Sequence, residues 1–214
     1  MSRFSLIFLL AVCLISGCGG SSGTADRTTT VNIESRKFSP SVIPVTQGDR
    51  IRFVNTDSHA HTIVSGTLAA TRSPVTHDPI SYSVAIGFSR TNIQGNLGDT
   101  IIWRNDTTDD FSMEVINDTG DVVVSKTIPK TQEYSFKEFP QAGCYTYRKM
   151  GSTTVKGTVI LYGIPTPDGD FQSMSLVTDR TFSTLFTIPG THKFYILNES
   201  DPNKSFITGS VIVR

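Results

Sequence analysis

The chain has 214 residues with 19 basic against 19 acidic side chains, so its formal net charge is zero. That balance excludes the basic footprint of a nucleic-acid binder and gives no sign of a partner held by a strong field. The length allows two domains of about 100 residues or one large one.

The N-terminus is expected to lie outside the fold. Arg3 supplies a positive start, Phe4 to Ile15 an apolar run too short to span a bilayer, and Ile15-Ser16-Gly17-Cys18 resembles a bacterial lipoprotein processing signal. Cleavage after residue 17 makes Cys18 the first residue of the mature chain, acylated (palmitate among the acyl groups) and inserted in a membrane. Gly19 after the cysteine points to outer-membrane delivery, facing the periplasm or the cell surface. Residues 18–30, rich in Gly, Ser and Thr, read as a flexible tether. With Cys13 in the leader and Cys18 acylated, Cys144 alone remains in the body, and no intramolecular disulfide can form.

From residue 31 onward, short runs of Val, Ile, Thr, Phe and Tyr alternate with Gly, Pro, Asn and Asp. This pattern belongs to an antiparallel sandwich or barrel. Phe38-Ser39-Pro40 followed by Gly48-Asp49-Arg50-Ile51-Arg52-Phe53-Val54-Asn55 recurs as Phe88-Ser89-Arg90 followed by Gly98-Asp99-Thr100-Ile101-Ile102-Trp103-Arg104-Asn105. Such a repeat fixes the architecture before any detail is read. A second pair of segments also repeats: Phe139, Gly143, Tyr145, Tyr147, Gly157 and Val159 correspond to Phe186, Gly190, His192, Phe194, Gly209 and Val211. The chain order is therefore opening half, opening half, closing half, closing half. Nesting explains it most simply: residues 80–162 form one sandwich inserted in another made of 31–76 with 164–214. The linkers would be Gly66 to Pro79 and Gly163 to Gly169, both carrying prolines. A swapped pairing of the halves uses the same residues.

These segments resemble the plastocyanin-like cupredoxins. In that family the closing loop runs Gly-x-Tyr-x-Tyr-x-Cys-x-x-His-x-x-Met-x-Gly-x-Val, and Gly143, Tyr145, Tyr147, Gly157 and Val159 set the register here. The resemblance implies an all-β protein of two cupredoxin-like Greek-key β-sandwiches, the second inserted in the first. It also implies where copper ligands would stand. In the inserted copy those positions fall on Phe111, Lys149, Ser152 and Val155; in the outer copy they fall on His61, Ile196, Glu199 and Ile207. A type 1 copper site needs two imidazoles, a thiolate and a weak thioether, so neither copy keeps the set. Lys149 opposes a metal outright, since two unit charges about 4 Å apart repel by roughly 4 kcal/mol at an effective dielectric near 20. Cys144 is no substitute, because it faces away from Tyr145, Tyr147 and Lys149.

His59 and His61, two apart, face one side of a strand end, and Glu199 could approach them from the lengthened closing loop. Two imidazoles and a carboxylate suit Zn(II) or Cu(II) rather than a blue-copper centre. The competing reading makes His61 a relic bonded to a backbone carbonyl. His77 falls in a linker, His192 reads as a satisfied core histidine, and Met113, Met150 and Met174 read as packing residues. Asp106, Asp109 and Asp110 form an acidic loop that resembles a solvated turn more than a Ca²⁺ site. No nucleophile elbow, phosphate loop or His-Glu-x-x-His helix occurs. The sequence thus points to a lipid-anchored, non-enzymatic binding or structural module with no cofactor, meeting the membrane through its lipid and an unidentified protein or small ligand through its loops. Copper handling through His61 with His59 or Glu199 is the alternative.

Overall fold

The computed structural model describes residues 27–34, 37–198 and 200–214; the leader, Cys18 and Glu199 lie outside them. The described residues are all-β, and none of their helices is long and apolar enough to cross a membrane. The chain opens with β1 (Thr28–Glu34), β2 (Lys37–Ser39), β3 (Val42–Val45), β4 (Arg50–Asn55) and β5 (Thr62–Ala69). There follow β6 (Ile80–Ser83), β7 (Gly87–Phe88), β8 (Asn92–Asn96), β9 (Ile101–Asn105) and β10 (Phe111–Ile116). Next come β11 (Val122–Ile128), β12 (Glu133–Phe136), β13 (Gly143–Lys149) and β14 (Lys156–Tyr162). The chain closes with β15 (Ile164–Gln172), β16 (Thr181–Leu185), β17 (Gly190–Leu197) and β18 (Thr208–Val213).

Four sheets form two sandwiches of the same topology. One pairs the sheet β16-β4-β1-β2 with the sheet β15-β5-β17-β18-β3; the other pairs β12-β9-β6-β7 with β11-β10-β13-β14-β8. Strands 6 to 14 thus pair among themselves, between β5 and β15 of the outer sandwich. The sheets are mixed rather than purely antiparallel. After β2 the chain crosses to the facing sheet as β3 and returns as β4, so β4 runs parallel to β1 with Val31 opposite Phe53. The same excursion through β8 sets β9 parallel to β6, as a crossover between sheets requires.

Alternation buries one face of each strand. β4 and β9 bury Ile51, Phe53, Ile101 and Trp103 almost completely, and two separate hydrophobic cores result. Two contacts of the central ring recur in both, one edge-on and one stacked. Phe53 packs edge-on against Phe38 and Phe194 and stacks on Phe182; Trp103 packs edge-on against Tyr147 and stacks on Tyr134. Contacts of this geometry add to the apolar area each ring removes from water.

The repeat glycines have a packing cause. Phe194 lies opposite Gly209 and Tyr147 opposite Gly157 in neighbouring strands. A Cβ on Gly209 would come within 2.5 Å of the Phe194 ring, and one on Gly157 would strike the Tyr147 ring. The Tyr147 hydroxyl donates to the Arg90 carbonyl, and the Tyr145 hydroxyl donates to the Gln141 carbonyl at 2.6 Å. Burial pushes the Tyr145 phenol up to about 12.

Three expected boundaries move. The tether expected over 18–30 ends earlier, because Thr28, Thr29 and Thr30 already pair with Arg50, Ile51 and Arg52. The expected linker Gly66–Pro79 begins inside β5. Its remainder is fastened to the inserted sandwich: Thr71 N donates to Leu97 O at 2.8 Å, Val75 N to Asp99 Oδ1 at 2.9 Å, and Thr76 bridges Thr100. The expected linker Gly163–Gly169 shrinks to Gly163, since Ile164 to Pro167 pair with Ala69 to Gly66. Pro165 and Pro167 are tolerated there because β15 is an edge strand, where a missing N–H leaves no ladder bond unmade. A Cβ on Gly163 would lie 2.6 Å from Leu68 Cβ and 3.1 Å from Ala142 Cβ, so the joint admits only glycine.

Candidate functional site

The turn between β4 and β5 is built on Asn55, which is fully buried. Its Nδ2 donates to the carbonyls of His59 and Leu176, both at 2.7 Å, while its Oδ1 accepts from Asp57 N at 2.9 Å. Asn105 repeats this in the inserted sandwich, donating to the Asp109 and Ile128 carbonyls at 2.8 and 2.9 Å and accepting from Thr107 N at 2.9 Å. One side chain thereby ties the loop to a neighbouring segment in each copy, to Leu176 between β15 and β16 in one and to the end of β11 in the other. The copies diverge at what the loop presents: Asp57, His59 and His61 in one, Thr107, Asp109 and Phe111 in the other.

Asp57, with a side chain only 6% exposed, accepts from His61 Nε2 at 2.9 Å and from His59 Nδ1 at 3.2 Å. A carboxylate accepts and does not donate, so each imidazole turns an N–H toward it. Burial alone would raise the Asp57 carboxyl, but hydrogen bonds from His61 and His59 outweigh it and hold the group well below the usual carboxylate range. His61 is 11% exposed and His59 79% exposed at the side chain. His61 therefore belongs to the fold, and His59 sits at its rim. With Nε2 committed to Asp57, Nδ1 is the ring atom that His61 has left for a ligand.

A pocket of about 280 Å³ opens beside this pair, lined by Asp57, His61, Ile196, Ser205, Phe206 and Ile207 among others. Its floor is the backbone pair Ile196–Ile207, joined at 3.0 Å. Three expected ligand positions, His61, Ile196 and Ile207, thus meet around one space, and two of them are aliphatic. Glu199 lies outside the described residues. Among the described residues, no three His, Cys, Asp or Glu side chains are grouped to hold a metal ion. The relic reading of His61 needs correction in its partner: the ring bonds the Asp57 carboxylate, whereas its backbone N–H and C=O are the groups that pair with Leu176.

The inserted copy is closed at the corresponding place. Phe111 is buried and stacks on Tyr82 with centroids 3.9 Å apart, and Val155 packs against the same core. Lys149 is exposed, its Nζ 5.8 Å from the Tyr82 centroid. Ser152 Oγ accepts from Val155 N at 3.0 Å and shapes the turn. The acidic loop is dispersed: Asp106 is held by Arg104 at 2.7 Å and Asp110 accepts from Lys130 N at 3.3 Å.

Other expected residues fall as follows. His77 is in the linker and donates to buried Asp99 at 3.1 Å. His192 is only partly buried, and its Nε2 donates to the Ile188 carbonyl at 2.8 Å, the bond Tyr145 makes in the other copy. Met113 is a core residue, but Met150 and Met174 lie outside both cores and are exposed. Sequence reasoning missed Asp57 and Phe206. The signal for Asp57 was its place four residues before His61, where the other copy has Thr107; Phe206 gave none.

No family model matches the chain, and no curated protein sequence matches it. Among solved structures it is similar to amicyanin, a likeness in each case over about half of this chain. A methionine-to-alanine mutant in the Cu(I) state matches with 15% identity over 46% of this chain and 97% of its own, at a TM-score of 0.34. A reduced Cu(I) form at pH 4 of a proline-to-glycine mutant matches with 18% identity over 46% and 97%, again at 0.34. A reduced tryptophan-to-tyrosine mutant gives 16% identity, 46% and 97%, and a TM-score of 0.35.

Proposed function

We propose that the chain is a non-enzymatic, lipid-anchored binding module of the bacterial cell envelope, in which the pocket beside His61 takes a small amphipathic ligand and the inserted sandwich is a closed scaffold. One observation carries this reading. The positions that the cupredoxin resemblance assigns to soft sulfur donors are aliphatic in the outer copy, yet they still surround an open space with one imidazole fixed by Asp57. An apolar wall with a few fixed polar groups is the usual make-up of a small-ligand site. The inserted copy, by contrast, fills the same place with Phe111. Anchoring rests on the signal-like segment ending at Cys18.

The test is an NMR screen of small amphipathic fragments against the labelled protein. Binders should shift resonances of Asp57, His61, Ile196 and Phe206, and Ile207→Trp, which fills the pocket, should abolish the shifts. Shifts confined to the inserted sandwich would overturn the reading. A second reading has His59 and His61 side by side on Asp57 behind it, although their hydrogen bonds to that carboxylate do not make a metal-holding group and a metal would have to take the ring nitrogens turned away from Asp57. In that case Zn(II) or Cu(II) is the ligand, and calorimetric binding should disappear in His61→Ala.

A further inference from the structure

The turn joining β6 to β7 is Val84-Ala85-Ile86, and it projects from the inserted sandwich with Val84 83% and Ile86 80% exposed. Three successive apolar residues are the wrong chemistry for a tight turn, where Gly, Asn, Asp or Ser lower the cost of the bend. The fold does not demand them. In the outer sandwich the residues that separate β1 from β2 in the sequence are the polar Ser35 and Arg36, and the flanking Glu34 and Lys37 pair at 3.6 Å. A local rule broken in one copy and obeyed in its twin marks a function rather than a structural need. Met150, 46% exposed, stands in the adjoining loop between β13 and β14. That loop adjoins the turn, since a Cβ on Gly87 would lie 3.6 Å from Val155 Cγ1.

We propose that this tip inserts into the surface of a lipid bilayer and sets the orientation of the protein on it. The occupant follows from the patch's size and chemistry. A protruding turn of three residues with one neighbouring methionine is far below the roughly 800 Å² per partner of a stable protein interface. It also offers Val, Ala, Ile and Met, not the Trp, Tyr and Arg that dominate such interfaces. Aliphatic side chains at the acyl boundary need no shaped partner. The chain outside the structure argues for the same occupant: Cys18, read as acylated, precedes Arg27, the first described residue, by nine positions in the sequence. This argument rests on the anchoring reading above. Lys149 Nζ stands 5.8 Å from the Tyr82 ring of β6, but Asp106 N bonds the Tyr82 carbonyl at the start of the loop that carries Asp109 and Asp110, so apolar burial and not attraction to anionic headgroups is the driving term.

The experiment uses the full processed chain with phosphatidylcholine vesicles, plain or brominated on the acyl chains. The native Trp103 is buried and gives a constant background. In Ile86→Trp the emission should shift to the blue and be quenched by the brominated vesicles, whereas Lys37→Trp, at the start of β2 in the outer sandwich, should be unaffected. Equal emission from Ile86→Trp in both vesicles would overturn the proposal, as would equal quenching of Lys37→Trp. Should Ile86→Trp fail to fold, Val84→Trp poses the same question one side chain away. A dimer in solution that Val84→Asp dissociates would put a second copy on the tip and also overturn it. Intact mass reports acylation of Cys18 separately, and added vesicles reach the tip whether or not the cysteine is acylated, so the two readings fail independently.

Discussion

At the scale of single residues, the chain shows how one scaffold can keep a loop and change its chemistry. Asn55 and Asn105 make the same three kinds of bond in the two copies, and a buried amide with every group satisfied tolerates little change. Around that fixed point one copy has the buried, hydrogen-bonded couple Asp57 and His61, and the other has Thr107 and Phe111. Because the Asp57 carboxyl is held below its ordinary value in the folded state, its contribution to stability is complete above the unfolded value of about 4 and is lost as the pH falls toward the folded one. Asp99, lowered by the backbone N–H groups of Asn96 and Val75 and by His77 against its burial, acts in the same direction. Urea titrations between pH 7 and pH 2 should therefore show stability falling below about pH 4, with a shallower fall in Asp57→Asn. An identical slope in that variant would show that the pair contributes nothing to folding.

At the scale of elements, the parts of the sequence that could be read were those in which a backbone constraint fixes a residue type. Gly157 and Gly209 announced themselves because an aromatic ring lies across each of them, and no side chain fits under it. Overpacking a filled core costs about 1–3 kcal/mol. Gly157→Ala and Gly209→Ala should each lower stability by that amount in denaturant unfolding, with the denaturant dependence unchanged; a neutral result would remove the packing explanation. Elements whose identity depends on distant partners were not legible. Ile164 to Gln172, with two prolines and Gly169, reads locally as a linker, and only its pairing with β5 makes it a strand. Thr28 to Thr30 belong to β1 because β4 waits beside them. Phe206 reaches the pocket through a loop whose path no spacing encodes, and its ring also packs edge-on against Tyr162 of the inserted sandwich at 5.4 Å.

At the scale of the whole molecule, the repeat order within the sequence already carried the nested topology, since strands 6 to 14 supply every sheet position of a second sandwich. The place of insertion also has a physical sense. β10 and β11, the counterparts of β5 and β15, are joined directly by the turn Asn117-Asp118-Thr119-Gly120-Asp121, where Asn117 Oδ1 accepts from Thr119 N and Asp121 N. A hairpin turn tolerates insertion because its flanking strands hold their own register. Replacing residues 70–163 by that five-residue turn should leave an outer sandwich that unfolds cooperatively in thermal circular dichroism. Loss of the cooperative transition would mean that the two sandwiches fold only as one unit.

The proposed function requires that this cupredoxin-like fold carry Ile196, Ile207, Lys149 and Val155 at the positions the resemblance assigns to sulfur donors, and that the pocket beside His61 take a ligand other than blue copper. Titration of the purified protein with Cu(II), followed by visible absorption, tests it most directly. No intense blue sulfur-to-copper charge-transfer band should appear at any copper ratio. Appearance of that band at one equivalent, and its loss in His61→Ala, would contradict it.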